Sequence, residues 1–117
     1  MKKNILKDKS YTFAIKIVKL AQLLVKEQKE FVLSKQLLRS GTAVGALIRE
    51  AEFAQSKVDF IHKMSISLKE ANETLYWLDL LKDTDYILTK NHLALTNDNK
   101  ELVAMLVSSI KTTKSRL

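Results

Sequence analysis

Four charged residues stand where they could do chemistry inside a helical protein: Arg39 and Glu50 in one stretch, Glu70 and Glu73 in another. Each borders apolar residues that recur every three or four places, so packing those stripes together brings a guanidinium toward carboxylates. Two uses of that set are open: a buried acid and base between helices, or an ion pair from Arg39 to the third helix that fixes register. Catalysis needs a base, a nucleophile and an anion-stabilising group converging in one pocket, and no such set is legible here. No catalytic residue is assigned and the chain is expected not to be an enzyme.

Metal chemistry finds little support. His62 and His92 are the only histidines, and the residues three places before them are Asp59 and Thr89. Carboxylate-bridged di-iron bundles need Glu-x-x-His pairs at that spacing. His62 is expected on a solvated helix face and His92 in a loop. The chain has no cysteine, which removes thiolate nucleophiles, disulfides and cysteine-based zinc sites together. It also lacks a glycine-rich phosphate loop, so neither metal nor cofactor is expected.

These residues need elements to carry them, and the composition points to helices. There is no proline and there are two glycines in 117 residues, so little interrupts a long helix. From Ser10, a plausible N-cap, to about Lys26, Phe13, Ile17, Leu20 and Leu24 form one apolar face. The polar cluster Lys26 to Glu30 then turns the chain. A second helix is expected from about Ser34, again as a cap, to about Ala54. It includes Gly41 and Gly45, four apart on one face, which would let a neighbouring backbone come close. A start after Gly41, capped by Ser40 or Thr42, is the alternative.

Ser56 reads as the cap of a third helix, with Asp59 in the position of a capping-box acid. Ile61, Met64, Leu68, Ala71, Leu75 and Leu78 give it a long stripe reaching Thr84, roughly 40 Å at 1.5 Å per residue. Asp85 to Thr96 is expected as a connection folded over the bundle end. The fourth helix would then begin near Asn97 or Asp98 and carry Leu102, Val103, Leu106 and Ile110 to a basic terminus.

Helices of this kind, joined mostly by short turns, pack economically as an antiparallel, up-down-up-down four-helix bundle, one domain over residues 1–117. The longest uncharged runs, Ser40 to Ile48 and Leu102 to Ile110, are nine residues each, about half of what a membrane crossing needs. The amino terminus breaks its apolar content too early for a signal peptide. A cytoplasmic protein without a membrane partner is expected.

The topology also organises charge. Of a formal +7, Lys2, Lys3, Lys7 and Lys9 less Asp8 contribute +3, and Lys111, Lys114 and Arg116 another +3. Both tails would meet at one end beside Arg49 and Lys57, forming a basic pole. Such a surface attracts polyanions through counterion release, so structured RNA or DNA is the natural partner. Lys2, Lys3, Lys7, Lys9, Lys57, Lys111, Lys114 and Arg116 are the candidate contacts. The alternative is an interaction or assembly scaffold for an unidentified protein, with terminal lysines serving solubility and the helix dipoles.

The stretch from Gln36 to Ala51, QLLRSGTAVGALIREA, followed by Ser56, Lys57, Phe60, Ser67 and Glu70, resembles the signature of bacterial four-helix-bundle proteins related to the 23S rRNA intervening-sequence protein. The resemblance assigns Gln36, Arg39, Ser40, Gly41, Gly45, Glu50 and Glu70 to the family motif as structural residues, and implies a ring-shaped homopentamer. Ala43 and Leu47 depart from the family, which commonly has serine and asparagine there; both exchanges remove hydrogen-bonding groups.

Overall fold

The structure is a computed structural model that describes residues 4–117: four α-helices and, among those residues, no strand. They are α1 (Ile5–Gln28), α2 (Leu33–Ala51), α3 (Lys57–Asp83) and α4 (Thr89–Lys114).

Capping explains most of the boundaries. α1 starts earlier than Ser10 because the Asn4 side chain accepts the Lys7 N–H at 3.0 Å. Ser10 is instead buried inside the helix and donates its hydroxyl to the Lys7 carbonyl. α1 ends inside the expected polar cluster, where Lys29 takes a left-handed conformation with φ 54° and donates its N–H to the Leu24 carbonyl.

Ser34 is not a cap either. Glu30 sits just before α2 and accepts the N–H groups of Val32, Leu33 and Ser34 at 3.1, 3.0 and 2.7 Å, filling the role of a side-chain cap from outside the helix. Burial tends to raise the pKa of this carboxyl, but the hydrogen bonds from Leu33, Ser34 and Val32 outweigh it and hold the value below the ordinary range. Gly41 and Gly45 both lie within α2, which sets aside the later start, and the helix ends at Ala51, short of Ala54. At α3 the expected cap forms: Ser56 Oγ accepts the Asp59 N–H at 3.0 Å, and the Asp59 carboxylate accepts the Gln55 N–H at 3.1 Å.

The largest departure is α4. The expected connection from Asp85 to Thr96 is mostly helix, since α4 begins at Thr89, well before Asn97 and Asp98. The buried stripe of α4 is Leu95, Thr96, Asn99, Leu102, Leu106 and Ile110. Its first half passes through polar Thr96 and Asn99, so hydropathy does not display it.

The helices meet in a consistent order. Ser10 and Ile17 of α1 lie against Gly45 and Gly41 of α2. Thr74 donates to Ser40 Oγ at 3.0 Å and Ser67 to the Val44 carbonyl at 2.9 Å, tying α3 to α2. Asn99 of α4 donates to the Ala71 carbonyl of α3 at 3.2 Å, and His92 meets Asp79 at 2.7 Å. At the α1–α4 boundary the polar contacts are exposed ion pairs, Lys9 with Glu101 and Lys16 with Asp98.

Phe13, Ile17, Leu24, Leu37, Val44, Leu78, Leu81, Leu102 and Leu106 are fully buried in the core. On α3 the deepest positions are Met64, Ser67, Ala71, Thr74, Leu78 and Leu81. Ile61, Leu68 and Leu75 of the expected stripe are only half-buried. Gly41 is explained by proximity: a Cβ there would lie 2.8 Å from Ile17 Cγ2 and 2.9 Å from Cγ1. A Cβ at Gly45 would lie 3.3 Å from both the carbonyl and hydroxyl oxygens of Ser10.

Candidate functional site

The two ends of the chain converge on the α2–α3 turn. Lys7 near the start of α1 bonds Glu52 at 3.0 Å, and Lys57 at the start of α3 donates to the Arg116 carbonyl at 2.8 Å. Lys111, Lys114 and Arg116 are exposed on and just beyond the last turn of α4, where lysines also complement the helix dipole. Among the described residues, no carboxylate pairs with these three. Lys2 and Lys3 lie outside the described residues.

This end is less positive than a count of the tails suggests. Glu52 is brought to Lys7 and Glu101 to Lys9, neutralisations that sequence proximity does not reveal. Arg49 lies on the α1–α2 flank, with its guanidinium carbon 4.8 Å from the centre of the Tyr11 ring. Lys111, Lys114 and Arg116, flanked by Lys57, are therefore the concentrated cationic group at this end.

An open groove of about 740 Å³ runs beside them, between the start of α1 and the second half of α4. Ile5, Phe60, Met64 and Met105 give it an apolar floor, and Ser108 and Ser109 line the α4 side. Glu52 is its only ionisable lining residue, so it holds no acid–base pair and no concentration of cations.

Arg39, Glu70 and Glu73 do come together, but on the α2–α3 surface. Arg39 bonds Glu70 at 2.9 Å and also Glu73, whose carboxylate accepts the Trp77 indole N–H at 3.0 Å. Of the two uses of this set, the ion pair from Arg39 to the third helix is the one that forms; Arg39 is 52% exposed, so the long arginine crosses the helix boundary and pairs at the solvent edge rather than in a buried site. The bond to Glu73 leads the effects that raise the Arg39 pKa. Trp77 leads those that lower the Glu73 pKa, against desolvation and with help from Arg39.

The remaining motif residues are dispersed. Glu50 pairs with Lys63 at 3.3 Å, eleven residues and about 16 Å along α2 from Arg39. Gln36 is half-buried, Ser40 fully buried against Thr74, and Gly41 and Gly45 face α1. His62 is exposed on α3, whereas His92 is helical rather than in a loop and rests against Asp79. Ala43 and Leu47, the two departures from the family pattern, are half-buried in α2. No described helix is long and apolar enough to cross a membrane.

Small residues and internal hydroxyls joining four helices, with charged clusters confined to the outside, define a helical-bundle protein. The 23S rRNA-intervening sequence protein family model matches residues 2–108, and the chain belongs to that family. A solved structure from Bacteroides thetaiotaomicron VPI-5482, described as a protein with unknown function from the S23 ribosomal protein family, is 58% identical. The match covers 92% of this chain and 99% of that one, with a TM-score of 0.91. No curated protein matches.

Proposed function

We propose that the protein is a non-enzymatic, cytoplasmic assembly of up-down-up-down bundles, a homopentamer, that binds structured RNA or DNA electrostatically. The observation that carries this reading is the exposed trio Lys111, Lys114 and Arg116 beside Lys57. The order of interhelix contacts supports the topology. In a ring, five such ends form one basic face, where phosphates bind by displacing condensed counterions.

The test is the salt dependence of duplex binding. On B-DNA, log K falls by about 0.9 per log unit of salt for each neutralised phosphate. Replacing Lys111, Lys114 and Arg116 by glutamine should flatten the slope by about 2.7 if each makes one contact. Undetectable or salt-independent binding by the unaltered chain overturns the reading.

The second reading is a protein-interaction scaffold without a nucleic-acid role. It is favoured by exposed apolar residues away from the basic end, among them Phe31 and Val32 on the α1–α2 turn.

A further inference from the structure

Exposed apolar residues concentrate on the α1–α2 flank. Two shallow grooves follow one another along the boundary of these helices. One, of about 580 Å³, is lined by Val18, Val25, Phe31 and Leu38 with Lys26 and Lys35 on its rim. The next, of about 270 Å³, is lined by Tyr11, Ala14, Thr42 and Ala46 with Arg49. Their sequence is continuous: Ala14 and Val18 are one turn apart in α1, as are Leu38 and Thr42 in α2.

The close approach at Gly41 and Gly45 keeps this seam shallow. Phe31 remains 58% exposed, and Val25 and Leu38 each 38%. From Phe31 to Arg49 the face is about 27 Å long and two helices wide, on the order of 500 Å² in projection. That is of the same order as the roughly 800 Å² per partner of a standard interface. Aromatics with an arginine are typical of such surfaces.

Charge selects the occupant. The ionisable residues lining the two grooves are Lys26, Lys35, Arg49 and Tyr11, with no carboxylate. Two seams placed face to face would set cations against cations. The second half of α3 and the turn after it have the complementary character: from Lys69 to Asp85 five acids stand against Lys69 and Lys82, and with Arg39 of α2 pairing Glu70 and Glu73 the surface stays net negative. Tyr76, 58% exposed, stands in the middle of that segment, packed edge-on against Trp77 at 5.0 Å.

We infer that the α1–α2 seam receives the acidic outer face of α3 around Tyr76 from a second copy of this chain. The two surfaces are different, so the contact is heterologous, and repeating it generates a closed ring when the rotation between copies permits. The inference rests on the assembly proposed above and names the surfaces that build it.

The test uses the full chain in sedimentation velocity and light scattering. A Leu38→Glu/Ala46→Glu variant alters the seam, and Tyr76→Lys alters the opposing face; circular dichroism checks that both fold. The unaltered chain should sediment as an oligomer and each variant at the 13.4 kDa of one chain. Mixing the variants should give a complex of two chains, because each retains the surface that the other lacks.

Oligomers that persist in either variant overturn this contact while leaving the assembly standing. Monomers that fail to pair on mixing overturn its heterologous character. A monomeric unaltered chain overturns the contact and the assembly together. If the seam variant keeps its mass but loses duplex RNA binding, the seam serves nucleic acid and the inference fails.

Discussion

Adding one methyl group at Gly41 tests whether α1 and α2 meet as described. Gly to Ala in a helix interior ordinarily gains about 1 kcal/mol. Here the new Cβ would sit 2.8, 2.9 and 3.2 Å from Cγ2, Cγ1 and Cβ of Ile17. Ile17 is fully buried and branches at Cβ, so rotation about χ1 replaces one near-backbone carbon with another. Overpacking of this kind costs about 1–3 kcal/mol. Against the propensity gain, Gly41→Ala should destabilise by up to about 2 kcal/mol, lowering Tm by up to about 8 °C in a chain of this size.

The decisive arm is the same substitution on an Ile17→Ala background. Truncating Ile17 leaves a cavity and itself costs about 2–5 kcal/mol, but it removes both contacting γ-carbons. Gly41→Ala should then stabilise by about 1 kcal/mol, reversing its sign. The coupling of about 1–3 kcal/mol is above the few tenths expected of independent sites. Urea unfolding of the four proteins at one protomer concentration measures it. Equal stabilisation in both backgrounds would refute the close approach at this position.

Three further perturbations address groups that sequence pattern leaves unexplained. Glu30→Gln places an amide against the N–H donors of α2 and should cost about 1–2 kcal/mol at pH 7. Because the folded Glu30 pKa is depressed, its contribution is complete above the unfolded value of about 4.3 and is lost as pH falls through the folded value, so the penalty in urea unfolding should shrink in acid. Trp77 reports on Glu73: emission should hold steady from pH 7 to about 4.3 and change only as the depressed Glu73 carboxyl protonates, with no such step in Glu73→Gln. Asn99→Leu removes the buried Oδ1 that has no hydrogen-bond partner but also the Nδ2 bond to the Ala71 carbonyl, so stability in thermal unfolding should change by less than about 1 kcal/mol; a larger loss would assign the amide a larger structural role.

The four helices and their sequential pairing follow readily from apolar spacing, and the tie from Arg39 to α3 was legible from its position beside the stripe. The start of α4 was hidden because its buried face uses Thr96 and Asn99. In the same way Ser67 and Thr74 occupy central core positions of α3, while Ile61, Leu68 and Leu75 stand only half-buried. A hydropathy stripe locates a helix face to within a residue or so, but not which small polar groups complete it. The cap of α2 is not a serine, threonine or asparagine at the N-cap position but Glu30, which reaches the helix from two residues before it. The charge at the terminal end is lower than the tails alone suggest because Glu52 and Glu101 arrive through the fold from remote parts of the chain.

The three sequential helix boundaries each use a different device to fix alignment. Between α1 and α2 it is steric, with two glycines receiving Ile17 and the Ser10 backbone. Between α2 and α3 it is hydroxyl bonding, from Thr74 to Ser40 and from Ser67 to the Val44 carbonyl. Between α3 and α4 it is the single amide of Asn99. A uniformly apolar seam tolerates sliding by a turn with little change in contact, whereas a glycine notch or a buried hydrogen bond is satisfied in one register and violated in the next. The α1–α4 boundary has neither among its described contacts; exposed ion pairs there contribute little, and the groove at the terminal end opens along it. Local opening should therefore begin where α1 and α4 part and leave α2 and α3 paired longest, an order that amide hydrogen exchange would read directly.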